Sequence, residues 1–221
     1  MQLEKAGGQQ KTEYKCWMNE EEYRKLKRQA LSYRDEIVIR LGGEVGLRSF
    51  EIPQIKPKHI KRDTTGEHHF LRIPRGKDTK QSGGKPRDAY LPRDLETQIH
   101  RYIQTQNIER NSSILDYTPR RIQQIVKETA ERAAEETGIE DFKHVSSHDL
   151  RRYYAVDLLV RKRMNPEVVM SIGGWEDYQS IKPYLSKATE ETIVKEFERL
   201  MQTNFSPASF VKSLMTINDL L

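Results

Sequence analysis

Ile122, Ile125, Val126, Thr129, Ala130 and Ala133 recur at i, i+3, i+4 and i+7, the period of a helix that buries one face. Thr118 is its predicted N-cap and Gly138 its end. Three further segments carry the same kind of signal. "PRDLETQIHRYIQ" predicts a helix before it, and "SSHDLRRYYAVDLLVRK" and "NPEVVMSIG" predict two after it, the last with Asn165 as cap and Pro166 at its first position. Near the start, "NEEEYRKLKRQALS" reads as a helix with Asn19 as N-cap and Glu22 three residues on. It is expected to continue through "YRDEIVIRLGGEVG" and to close at Gly46. Alternation appears only in residues 67–73 and 87–91, two short strands around "PRGKDTKQSGGKP", a long basic hairpin tip. Residues 1–18 read as a loose polar tail, and "TEETIVKEFERLMQ" and "SPASFVKSLMTINDLL" as two final helices. The expected fold is mainly α with one small antiparallel β-sheet, an α+β arrangement.

Charge sharpens that picture. The chain has 221 residues, with Lys+Arg 38 against Asp+Glu 33. Residues 56–93 hold eleven lysines and arginines against four acids, so the positive charge is concentrated on the hairpin and its approaches. Such a segment is either a solvated loop or a contact for a polyanion. No apolar run approaches the roughly 18 residues of a membrane span, and the first residues have no apolar signal core. The single Cys16 excludes an intrachain disulfide and fits a reducing cytoplasm. The histidines and the one cysteine do not fall into zinc-finger spacing, so no zinc site is expected.

Four stretches could carry chemistry. In "SSHDLRR", Ser146 and Asp149 form a capping-box pattern, which puts His148 in the first turn and Arg151 one turn on, beside free backbone N–H groups. Taken alone, this is as readily a surface histidine beside a solvated arginine. In "GEVGLRSFEI", Arg48 sits on a turn among Leu47, Phe50 and Ile52 and requires an anion, either Glu51 or a ligand. Lys77, in "IPRGKDTK", is a hairpin lysine that acts only if the tip folds over a phosphodiester. In "GGWEDYQSIKPYL", Tyr178 and Tyr184 are two tyrosines that composition does not separate.

The order of these pieces is more specific than any one of them. "GLRSFE", a basic β-hairpin, "HDLR", then "GGW" and a tyrosine nine residues after Trp175 resembles the catalytic domain of the tyrosine recombinase (phage integrase) family, with the archaeal integrases as the nearest group. The resemblance covers about residues 19–200, leaving 1–18 as a flexible tail and 201–221 as a helical tail that either contacts a neighbouring protomer or folds back on its own domain. It implies cleavage and rejoining of double-stranded DNA without metal or ATP, through a 3′-phosphotyrosine. The enzyme would act as a homo-oligomer, a tetramer on DNA, in the cytoplasm of a prokaryotic host. By the match, Arg48 and Arg151 grip the scissile phosphate, His148 handles the tyrosine proton and Lys77 protonates the leaving oxygen, with Lys80 and Lys85 as other hairpin lysines. Trp175 stands where a second histidine is commoner, and an indole only donates. Spacing from Trp175 selects Tyr184 as nucleophile. Rival expectations are a type IB topoisomerase-like relaxase and a non-catalytic DNA-binding protein of the same fold.

Overall fold

The structure, a computed structural model, describes residues 1–6, 14–76, 85–185, 193–194, 197–199 and 201. Seven α-helices and five strands are placed among them. Strands β1 (Gln2–Lys5) and β2 (Tyr14–Trp17) pair antiparallel, with Leu3 opposite Cys16. Helices α1 (Glu20–Arg28) and α2 (Tyr33–Gly43) follow. Strands β3 (Ile60–Arg62), β4 (His69–Ile73) and β5 (Arg87–Leu91) form an antiparallel sheet in that order. Helices α3 (Arg93–Thr105), α4 (Pro119–Thr137), α5 (Ser147–Val156), α6 (Pro166–Gly173) and α7 (Tyr178–Leu185) come next.

The caps read from sequence are in place. Asn19 Oδ1 accepts from Glu22 N at 2.8 Å, and Glu22 returns a carboxylate oxygen to Asn19 N at 2.8 Å. Thr118 Oγ1 accepts from Arg121 N at 3.2 Å, and Gly138 closes α4 in the left-handed region at φ 68°. The main core gathers Leu26, Ile37, Leu41, Leu71, Ile125 and Phe142, so α1, α2, α4 and the three-stranded sheet enclose one apolar volume. A second, smaller cluster lies beside it: Trp17, Ala155, Val156, Leu159, Val169, Ile181 and Tyr184.

Three expectations are corrected. The first 18 residues are not a loose tail throughout: they contain the β1–β2 hairpin, with Cys16, Trp17 and Met18 buried. Strand β2 is held by a partner far along the chain, Asp149, whose Oδ1 accepts from Cys16 N at 2.8 Å, and no local pattern reveals such a bond. The helix expected to run on from residue 20 breaks after Arg28, because Ser32 starts a new one by accepting from Asp35 N at 3.0 Å. That second helix ends at Gly43, short of the Gly46 expected to close it. Strand β3 had no alternation to announce it. The two final predicted helices lie largely outside the described residues, where 193–194, 197–199 and 201 are helical. Among the described residues, no helix is long and apolar enough to cross a membrane.

Candidate active site

Alternation along β5 carries the first charged group inward. Arg87, Ala89 and Leu91 face the core, and Arg87 sits opposite Ile73 at the end of the β4–β5 ladder. There its guanidinium takes both oxygens of Glu51, Nη1 to Oε1 at 2.7 Å and Nη2 to Oε2 at 2.9 Å. Glu51 is 0% exposed. It also accepts from Arg48, from the backbone N–H at 2.8 Å and from Nη1 at 2.9 Å. Burial alone would raise the Glu51 pKa, but the hydrogen bonds and charge of Arg87, then the charge and amide of Arg48, hold it below the usual glutamate value.

Arg48 and Arg87 both reach the end of α6. Arg48 Nη2 donates to Gly174 O at 3.1 Å and Arg87 Nε to Ile172 O at 3.1 Å. The sequence Gly173-Gly174-Trp175 is what permits this corner. Gly174 is left-handed, with φ 69°, and a Cβ there would meet Arg87 Cδ at 2.8 Å. At Gly173 a Cβ would fall 2.0 Å from Cζ3 of Trp175, so the indole lies back over the helix end only because that position has no side chain.

The start of α5 supplies the other wall. Asp149 Oδ2 accepts from Ser146 N at 2.9 Å, which fixes the first turn and places His148 and Arg151 as the spacing predicts. Arg151 is 2% exposed, with its guanidinium carbon 3.8 Å from the centre of the Trp175 ring and Nη1 bonded to Gly46 O. Its Nη2 is buried and meets no hydrogen-bond acceptor among the described residues. Burial, then the charges of Arg48 and Arg87, push the Arg151 pKa down to about 9, while Glu51 and Tyr184 pull it the other way. The floor thus holds three guanidinium groups and one carboxylate, with Arg48 and Arg87 bonded to Glu51 and Arg151 beside them, an excess of two positive charges.

His148 stands at the rim. Crowding of the chain around its ring, then the charges of Arg152, Arg151 and Arg48, push its pKa down to about 4, with Asp149 opposing the arginines. The residue keeps an exposed surface, so water moderates both the crowding and the effect of the arginine charges. At neutral pH His148 is therefore an uncharged imidazole, able to accept a proton.

These groups line a cleft of about 720 Å³ that includes Arg48, Lys85, Arg87, His148, Arg151 and Trp175. Of the six residues expected at the site, Arg48, His148, Arg151 and Trp175 line it. Lys77 lies outside the described residues, as does Lys80, whereas Lys85 is exposed at the cleft edge. Tyr184 adjoins the cleft from behind Trp175. It is 8% exposed and meets Trp175 edge-on, with ring centres 5.7 Å apart at 64°. Tyr178 is 55% exposed, on the outside of α7. Sequence reasoning missed Arg87 and Trp17. The only signal for Arg87 was its phase with Ala89 and Leu91, and Trp17 had none. Among the described residues, no three His, Cys, Asp or Glu side chains gather as a metal site.

A sequence profile of the phage integrase family matches residues 12–191. No curated protein sequence matches the chain. Among solved structures, XerA recombinase superposes with a TM-score of 0.65 at 16% identity, covering 83% of this chain and 64% of that one. The XerH site-specific recombinase, solved with its difH substrate in a pre-cleavage complex, gives 0.57 at 21% identity, covering 76% and 49%. A lambda integrase fragment, solved as a dimer on a core site, gives 0.53 at 14% identity, covering 78% and 60%. At these identities the likeness establishes the fold. The chain spans between about half and just under two thirds of these three proteins.

Proposed function

The chain belongs to the phage integrase family, and on that premise we propose that it is a site-specific tyrosine recombinase that cleaves and rejoins double-stranded DNA. The observation that carries the reading is the buried Arg151, whose Nη2 is unpartnered among the described residues on a floor of three guanidinium groups and one carboxylate. A phosphodiester brings one negative charge, and its pentacoordinate transition state brings a second, so this floor favours the transition state over the ground state.

In the proposed reaction, Arg48 and Arg151 hold the non-bridging oxygens. A phenol is a poor nucleophile at neutral pH, and neutral His148 takes the Tyr184 proton as Oη attacks phosphorus. The P–O5′ bond breaks and a hairpin lysine protonates the leaving oxygen. The resemblance favours Lys77 in this role, and Lys85 is the described lysine that reaches the cleft. Trp175 packs Arg151 and can only donate its indole N–H. The 3′-phosphotyrosine keeps the bond energy, so a 5′-hydroxyl reverses the step without ATP or metal. The solved complexes of XerH with its difH substrate and of a lambda integrase fragment with a core site support double-stranded DNA as substrate. We carry the same premise to a homo-tetramer on DNA, with residues 201–221 in protomer contacts, in a prokaryotic cytoplasm.

The test is adduct trapping on nicked duplexes, selected from a randomised library for covalent capture by the parent chain. Tyr184→Phe is expected to abolish the adduct and Tyr178→Phe to keep it. An adduct retained in Tyr184→Phe removes the nucleophile assignment, and no capture by the parent chain removes the enzymatic reading.

A further inference from the structure

We infer that the β1–β2 hairpin braces the reacting groups and that Trp17 is a positioning residue for Tyr184. The inference rests on reading Tyr184 as the nucleophile. Three consecutive residues at the end of β2 each hold a different part of the site. Cys16 N donates to Asp149 Oδ1 at 2.8 Å, and the same carboxylate caps the turn that carries His148. Trp17 is 6% exposed and meets the Tyr184 ring edge-on, with centres 6.2 Å apart at 63°. Met18 O accepts from Arg161 Nη2 at 2.6 Å, which ties the strand to the π-helical turn Asp157–Arg161 after α5.

Tyr184 therefore has two tryptophan neighbours with distinct duties. Trp175 lines the cleft and packs on Arg151, whereas Trp17 does not line it and stands among Ala155, Val156, Leu159 and Ile181. Both contacts are tilted edge-to-face, the geometry that aromatic quadrupoles prefer. A tyrosine has only two side-chain torsions, so a steeply tilted ring packed against it limits the directions its hydroxyl can take. In-line attack on phosphorus demands that direction, and misplacement by about 1 Å can slow a reaction by roughly 10²-fold. Trp17 touches neither DNA nor the reacting atoms in this scheme; it acts through the tyrosine ring.

The test compares the full-length parent with Trp17→Phe and Trp17→Ala on the same library-selected nicked duplexes. Three quantities are read: equilibrium DNA affinity, single-turnover adduct rate at saturating protein, and the thermal midpoint. The expected result is an adduct rate about tenfold lower in Trp17→Ala and intermediate in Trp17→Phe, with affinity within about twofold of the parent. If Trp17→Ala does not fold, Trp17→Leu replaces it, filling the cluster without a ring edge. A parental rate per folded molecule in these variants overturns the inference, as does a loss accounted for wholly by affinity or by the unfolded fraction. An adduct surviving in Tyr184→Phe strikes instead at the nucleophile reading, so the two failures are distinct.

Discussion

Glu51 is the residue on which the arginine floor depends. It is buried with Arg87 and Arg48 on its two oxygens, so removing it strands guanidinium groups rather than deleting one contact. Glu51→Ala is expected to lower unfolding free energy by about 3–5 kcal/mol, measured by urea denaturation. Its depressed pKa sets the sign with pH: the contribution is full above the ordinary glutamate value and is lost as pH falls below it. Arg151→Lys keeps a charge but loses the fork, and adduct formation should fall by about 10²–10³-fold. For His148, the folded pKa of about 4 lies below the ordinary 6.5. Its folding contribution therefore does not change above 6.5 and turns unfavourable as pH falls from there, because the unfolded state takes the proton first. The acid limb of the second-order adduct rate should likewise lie below 6.5 and vanish in His148→Gln, which a pH series on the nicked duplex checks. At this scale the sequence already named Arg48, His148, Arg151 and Trp175. It also offered Glu51 as an internal partner for Arg48, and Arg48 does pair with Glu51 while lining the cleft.

Elements were legible where their signals are local. A cap, a helical period and a terminal glycine each act within four residues, which is why α4 and the start of α5 match expectation. The break between α1 and α2 was equally local, a second N-cap, Ser32, hidden inside a helical-looking run. The GGW corner is different, because its glycines answer to partners elsewhere: Trp175 folds back on Gly173, and Arg87 of β5 covers Gly174. Gly174→Ala must adopt a left-handed backbone and displace Arg87, so a loss of about 1–3 kcal/mol in stability is expected. The same variant should weaken adduct formation, because both arginines anchor on carbonyls of this corner; melting curves and trapping assays separate the two effects.

On the scale of the molecule, the basic charge of the sheet region is not spread evenly. Lys56, Lys58, His59 and Arg75 line a groove of about 470 Å³ between the β3 approach and the end of β4. If DNA tracks this groove, Lys58→Ala should reduce the slope of log affinity against log salt by about 0.9, with no change in sequence preference. Titrations at several salt concentrations read that slope.

The sequence by itself determined most of the helices, their N-caps and the two main strands, because each of these depends on neighbours a few positions away, and it set out in order the residues proposed to hold phosphate. Tertiary structure alone decided that Arg87 and Glu51 share the arginine floor, that Arg151 is buried with one nitrogen unpaired, and that Trp17 lies against Tyr184. Those facts are set by contacts between residues 36 to 167 positions apart, where burial and electrostatics depend on what the fold brings together.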